Sequence, residues 1–364
     1  MLIIRDDING AEPQPTPVDR HTHSTKDPAE ITDRLHLALI SRCESVLDKK
    51  IKCLAFPGGE SRASFRCIFS DETSVIITRR ESRYRAQLEE KIMRVLWQAG
   101  APVPKVLDFN GLVLIQSDEG ADKLGSILNN SNKSSIHEGI ISDAAISLLN
   151  IHQAAREANL AHNVPMLGTD AGWVRALIDR PAVIGSFLDV EAPEPDLDAI
   201  FQILTLVEPG FVKWDSRPAN AVLNREGEMC WVDWEHAGAR NPLDDLVHLI
   251  CDENVMLDTH AEERLLQEFA PRFSNMANDR LAIEYCRVAG VLHLCVRLSL
   301  ILDEYDQYGW GDADRCASRD KIGSSKEQAL RLCKRGQVWA ASTPVTLALS
   351  PWFSKLGKHI SKYE

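Results

Sequence analysis

Between residues 211 and 223 an aspartate, Asp215, stands five positions ahead of an asparagine, Asn220, and apolar runs of strand character flank both. A turn at 224–228 then reverses the chain into 229–232, which delivers a second carboxylate, Asp233, thirteen residues after Asn220. A hairpin returns its two ends side by side, so any fold of this chain has to gather Asp215, Asn220 and Asp233 in one place. Such a trio suits phosphoryl transfer. An aspartate can accept and orient a hydroxyl proton, while an amide oxygen and a second carboxylate are hard donors of the type Mg2+ prefers beside phosphate. Asp215 alone would read as a turn or cap residue; its spacing to the other two reverses that reading.

Around this island the periodicity changes along the chain. Leu35, Leu39, Ile40, Cys43, Val46 and Leu47 recur at helical spacing, with Lys49 and Lys50 at the helix's negative end. Residues 51–56, 64–70 and 74–79 read as three strands of a small antiparallel sheet, 82–98 as a helix stopped by Gly100, and 105–109 and 112–116 as two further strands. After Ser117 the pattern is mainly helical, with one stripe through Ile140, Ile141, Ala144, Leu148 and His152 and another through Leu197, Ile200, Phe201 and Leu204. The expected class is therefore α+β. Residues 30–117 would form a small lobe with an antiparallel sheet and helix, and residues 118–364 a larger, mainly helical lobe holding the hairpin. Residues 1–29 carry almost no large apolar side chain and are expected to form a disordered tail. The apolar run 288–302 is broken by His293 and Arg297 and falls short of the roughly 20 apolar residues that cross a bilayer, so it reads as a core helix.

Composition narrows the partners. A formal charge of −12 over 364 residues argues against general affinity for nucleic acid or an anionic membrane. The nine cysteines are scattered without a C-x-x-C pair, as buried thiols of a reducing cytoplasm would be, and the acidic start, with Asp6, Asp7 and Glu12, carries no export signal. No G-x4-G-K-[ST] run occurs, so P-loop chemistry is not expected.

The stretch from Asp233 through Trp234, Glu235, Ala237, Gly238, Pro242 and Asp245 to Leu246 resembles the metal-binding segment D-W-E-x-A-G-x-G-D-P-x-x-D-L of the aminoglycoside phosphotransferase and choline kinase superfamily. That resemblance implies a bilobal, protein-kinase-like fold over roughly residues 36–364. It implies ATP (or GTP) and Mg2+ as cofactors, Asp215 as catalytic base, and Asn220 and Asp233 as metal ligands. The turn holding Gly58, Gly59 and Ser61 resembles the loop covering the phosphates. Arg79 sits where a basic residue faces the α- and β-phosphates and Glu89 where its acidic partner is expected, with Arg80 and Glu90 as the adjacent alternatives. Residues 115–119, with Gln116 and Ser117, resemble the hinge that meets the adenine edge, and residues 149–152 resemble the family's L-x-x-L-H helix. Asp245 reads as support for the catalytic loop rather than a ligand.

Two departures from the family bear on the chemistry: Arg79 stands for the family's lysine, which keeps the charge but changes its geometry, and the pair before the catalytic aspartate differs. The family usually has His-Gly before the catalytic aspartate, where this chain has Lys213 and Trp214. Lys213 is accordingly a second catalytic candidate, able to lend positive charge to the transferring phosphate. The same departure keeps a second function open, a catalytically inactive nucleotide-binding or scaffold protein of the same fold. The acidic clusters Asp303, Glu304, Asp306 and Asp312, Asp314 read as a solvated helix end. They also leave a cationic acceptor open, because relatives receive cationic hydroxyl or amino compounds on an acidic face. The acceptor is expected to be a small aminoglycoside-, choline- or sugar-like molecule, and the chain a monomer or homodimer. Asp245 follows Asp233 by only twelve positions, too few for a protein kinase activation segment.

Overall fold

A computed structural model describes residues 25–57, 64–194, 196–205, 209–224, 226–276, 278–311 and 323–363. The small lobe is a six-stranded antiparallel sheet in the order β1-β2-β3-β4-β6-β5. Its strands are β1 (Thr25–Lys26), β2 (Ile51–Ala55), β3 (Ser64–Phe69), β4 (Ser74–Arg79), β5 (Val106–Phe109) and β6 (Val113–Ser117). The expected strands are all present. Residues 25–30 correct the expectation of a tail reaching to 29: Thr25 pairs with Ala55, and Asp27 caps the short turn Pro28–Glu30 by accepting the Ala29 N–H. Main-chain pairing at a sheet edge and a capping carboxylate order these residues without apolar side chains.

Helix α1 (Arg34–Leu47) starts at Asp33, whose carboxylate accepts the His36 N–H, and ends at Asp48 in the left-handed region (φ 50°). It lays Leu39, Ile40 and Cys43 on one face of the sheet, where Leu54, Phe65, Cys67, Val75, Ile77 and Ile115 complete a small core. Helix α2 (Arg83–Gln98), capped by Ser82, packs differently. Its Ile92, Met93 and Leu96 join Val106 and Leu114 in a second, much larger core that continues through the helices beyond residue 117. The small lobe is thus fastened to the large one through α2, and the Trp231 N–H reinforces the join by donating to the Pro102 carbonyl (2.9 Å).

The large lobe runs β7 (Asp122–Lys123), α3 (Leu124–Asn129), α4 (Ser134–Glu157), α5 (Ala171–Ile178), α6 (Arg180–Leu188), α7 (Leu197–Leu204), β8 (Gly210–Val212), β9 (Ala221–Leu223), β10 (Met229–Trp231), β11 (Gly238–Arg240), α8 (Leu243–Ile250), α9 (Thr259–Phe273), α10 (Asp279–Tyr308), α11 (Lys326–Ala340) and α12 (Leu349–Ile360). The hairpin is β9 against β10, in register Val222 to Cys230, with β7 on its other edge. Strand β8 pairs with β11, Val212 opposite Gly238, so the loop after β8 and the loop before β11 lie side by side. The apolar run at 288–302 belongs to α10, which at 30 residues is longer than expected and is, among the described residues, the one helix long and apolar enough to cross a membrane. Of its most apolar window 78% is buried inside the protein, so it is a core helix.

Candidate active site

The loop after β8 is held by one buried carboxylate. Asp245, at the start of α8 and fully buried, accepts the Lys213 N–H on Oδ2 and the Trp214 N–H on Oδ1, both at 2.8 Å, and its carbonyl accepts the Ser216 hydroxyl at 2.9 Å. His152 on α4 donates to Asp245 Oδ2 at 2.7 Å. Burial opposes the charge on Asp245, but these donors outweigh it and hold its carboxyl below the ordinary carboxylate range. The expected structural role of Asp245 therefore has a geometry, and His152 in the L-x-x-L-H helix supplies part of it.

That brace constrains a strained turn. Trp214 has φ 72°, in the left-handed region that suits glycine, the residue the family usually places there. Its N–H bond to Asp245 and a bond from His248 Nδ1 to its carbonyl pin the conformation from both sides. Asp215 follows. Its carboxylate accepts Arg217 Nε on Oδ1 (2.8 Å) and Asn220 Nδ2 on Oδ2 (2.7 Å). Burial pushes its pKa upward, yet the Arg217 guanidinium beside it, with Lys213 and His248, holds the carboxyl well below the usual range, so it is ionised at neutral pH.

Lys213 differs from the expectation that it lends charge to a phosphate. It is fully buried, and Nζ donates to the main-chain carbonyls of Asp215 and Asp233, both at 3.0 Å, with the Trp234 ring 5.3 Å away. Burial pushes its pKa down. Its side chain is a tie between the two loops, aimed at carbonyls and away from any open space.

Asp233, at φ 61°, occupies the left-handed region that Asp tolerates better than most residues. Asn220 turns its amide nitrogen to the Asp215 carbonyl and carboxylate, which leaves its oxygen to accept. An amide oxygen and a carboxylate are the donors a Mg2+ ion takes, so these two residues fit the ion.

The basic partner of Glu89 is Arg80, not Arg79. Side chains alternate across a strand: Val75 and Ile77, of Arg79's parity, point into the α1 core, whereas Arg80 continues the ladder through its N–H to the Leu112 carbonyl and has the other parity, toward α2. There Arg80 grips Glu89 with two parallel bonds of 2.7 Å and also reaches Asp233 (2.7 Å) and Glu235 (3.0 Å). Arg79 makes no ion pair among the described residues. Glu90 pairs instead with Arg94 on its own helix. Gln116 and Ser117 end β6, opposite Ile76 and Val75; the Ser117 N–H is taken by the Lys105 carbonyl (2.9 Å). Gly58, Gly59 and Ser61 lie outside the described residues.

Beside Asp215 opens a cavity of about 510 Å³, lined by α5, α6, α8 and α10 together with Trp214 and Arg217. This volume is in the range of small-molecule sites. None of its arginines, Arg180, Arg217, Arg240 and Arg297, was singled out from sequence as a site residue. Only Arg217, two positions from Asp215, carried a local signal. The acidic residues Asp303 and Asp306 are exposed at the end of α10 and do not line the cavity, and Asp312 and Asp314 lie outside the described residues.

Residues 52–282 match the phosphotransferase enzyme family, APH. The chain belongs to that family. Solved structures similar to this phosphotransferase-family chain include macrolide 2'-phosphotransferase MphH from Brachybacterium faecium, at 13% identity and a TM-score of 0.50 over 78% of this chain and 97% of that one. Spectinomycin phosphotransferase APH(9)-Ia, solved with ADP and spectinomycin, matches at 13% identity and TM-score 0.50 over 80% and 97%. A variant of aminoglycoside 2'-phosphotransferase IIIa, solved with GDP, matches at 12% and 0.50 over 84% and 98%. These likenesses establish the shared two-lobed, kinase-like fold. No curated protein sequence matches the chain.

Proposed function

We propose that this family member transfers the γ-phosphoryl group of ATP, or of GTP, to a hydroxyl of a small molecule. The observation that carries the reading is the position of Asp215: ionised, on the wall of a cavity of small-molecule size, and hydrogen-bonded to Asn220 on the same loop. In this reading Asp215 accepts the acceptor's hydroxyl proton as its oxygen bonds to the γ-phosphorus and the bond to the β-phosphate oxygen breaks. Asn220 and Asp233 would hold Mg2+, which when bound offsets phosphate charge. Arg80, oriented by Glu89, faces the α- and β-phosphates. Residues 115–119 between the lobes receive the base. The nucleotides in the solved relatives support nucleotide use, and the eight described cysteines, all unpaired thiols, support a cytoplasmic setting.

Lys213 ties the base loop to the metal-ligand loop through the Asp215 and Asp233 carbonyls, so its presence favours activity over an inert scaffold. The test is mass spectrometry of a hydroxyl-compound panel incubated with protein, ATP and Mg2+. A product heavier by one phosphoryl group should form with the wild type and fall by about 10²–10⁴-fold with Asp215→Asn. Equal product from both proteins would remove Asp215 as the base. No product together with no Mg2+-dependent ATP binding would leave the scaffold reading.

A further inference from the structure

A ligand cation is held by free carboxylates or by open aromatic faces; the described residues lining the cavity beside Asp215 offer no unpaired carboxylate and no tryptophan without a guanidinium near its ring. Among the described residues two carboxylates line it, and each already faces an arginine: Asp215 pairs with Arg217, and Asp244 lies 2.8 Å from Arg240. Burial pushes the Asp244 carboxyl upward, which further weakens its charge. Behind the wall Glu253 is spent on Arg297 through two bonds of 2.9 and 2.6 Å. The two tryptophans of the wall already have a cation beside them. The Arg240 guanidinium sits 4.3 Å from the Trp173 ring centre and 5.9 Å from that of Trp214. A second cation brought to these rings would meet the first.

An unsatisfied cation has the opposite preference. Arg180, half-buried at the start of α6, lines the cavity with only a long 3.5 Å hydrogen bond to Ser299 and no ion pair among the described residues. His293 stacks on His248 at 4.2 Å, and its Nε2 is buried without a hydrogen-bond partner. Burial, with His248, Arg297 and Arg217 nearby, pushes the His293 pKa down, so its imidazole is neutral and its Nε2 is open to a hydrogen bond as donor or as acceptor. Most of the remaining wall is apolar, from Leu177, Leu204, Val247, Leu292, Val296 and Leu300.

We propose that the phosphoryl acceptor is an anionic hydroxyl compound. It would have an apolar body against this wall, a carboxylate or phosphate at Arg180, and its hydroxyl at Asp215. The inference rests on the phosphotransferase reading and reverses the cationic acceptor that the acidic sequence clusters left open.

Binding tests it apart from catalysis. Three probes share one scaffold, 4-(hydroxymethyl)benzoate, 4-(hydroxymethyl)benzamide and 4-(hydroxymethyl)benzylamine, and are titrated into the full chain by isothermal calorimetry and by tryptophan fluorescence, which Trp173 and Trp214 report from the cavity wall. The benzoate should bind at least tenfold tighter than the benzylamine. Arg180→Gln should erase that preference, Arg180→Lys should keep most of it, and Arg180→Glu should invert it. Benzoate binding no tighter than benzylamine binding, absence of binding included, overturns the inference, as does a preference that survives Arg180→Gln. Failure of the phosphotransferase reading would register separately, as anion binding without ATP-dependent product.

Discussion

A lysine in the place of a loop histidine invites a catalytic interpretation, and its surroundings decide against one. Lys213 Nζ satisfies two main-chain carbonyls, those of Asp215 and Asp233, inside a fully buried site. Leaving a buried acceptor unpaired costs about 1–3 kcal/mol, while removing a buried charge recovers part of that. Lys213→Met is therefore expected to lower stability by about 1–3 kcal/mol in urea unfolding. It should lower kcat by more than the unfolded fraction accounts for, because both loops lose their common tie. Lys213→His, which keeps a ring N–H donor, should recover part of both losses. A Lys213→Met protein as stable and as active as wild type would show that the tie carries no weight. The same scale explains the confusion of Arg79 with Arg80: both are arginines at the end of β4, and a shift of one residue moves a side chain to the opposite face of the sheet. Sequence pattern placed the strand; only the ladder, through the Arg80 N–H to Leu112, fixed which arginine faces Glu89.

Elements whose apolar spacing is local were legible, and arrangements made by packing were not. The hairpin carrying Asn220 and Asp233, the helix over 83–98 and the strands of the small sheet all announce themselves within windows of ten to twenty residues. The cavity wall draws on α5, α6, α8 and α10, so Arg180 and Asp215 meet the same space although 35 residues separate them, and no local window contains that fact. The acidic cluster at 303–306 was conspicuous because it is contiguous, yet Asp303 and Asp306 face solvent. Packing of α10 on α11 gives a test at this scale. A Cβ added at Gly290 would lie 2.3 Å from the Trp339 ring. The ring is fully buried, and its Nε1 donates to Glu262 at 2.6 Å, so retreat would cost that bond. Ala is ordinarily about 1 kcal/mol better than Gly within a helix; here overpacking of about 1–3 kcal/mol or more outweighs it. Gly290→Ala should lower the melting temperature, and an unchanged or raised value would mean that the two helices separate freely.

Across the whole molecule one guanidinium bridges the two lobes beside the core they share through α2. Arg80 leaves the end of β4, is clamped by Glu89 on α2, and reaches across to Asp233 and Glu235 in the large lobe. Phosphates arriving between the lobes would compete with Asp233 and Glu235 for this fork, while Asp233 turned to Mg2+ would release it. One exchange of partners would then couple nucleotide binding to the contact between the lobes. Glu89 is only 2% exposed, so Arg80→Met strands a buried carboxylate with little beyond the Trp234 N–H at 3.2 Å. Breaking a buried pair from one side costs about 3–5 kcal/mol, and the variant should unfold correspondingly earlier. A second readout separates this structural loss from the nucleotide role. In wild type, ATP with Mg2+ should raise the melting temperature; in Arg80→Met that rise should shrink and the ATP KM should increase by tenfold or more. Arg80→Lys keeps the charge but cannot grip Glu89 bidentately while reaching the large lobe, and should fall between the two. If Arg80→Met lost stability but kept the wild-type ATP KM and ligand-induced shift, Arg80 would be a brace between the lobes and the phosphates would have to be met by another cation.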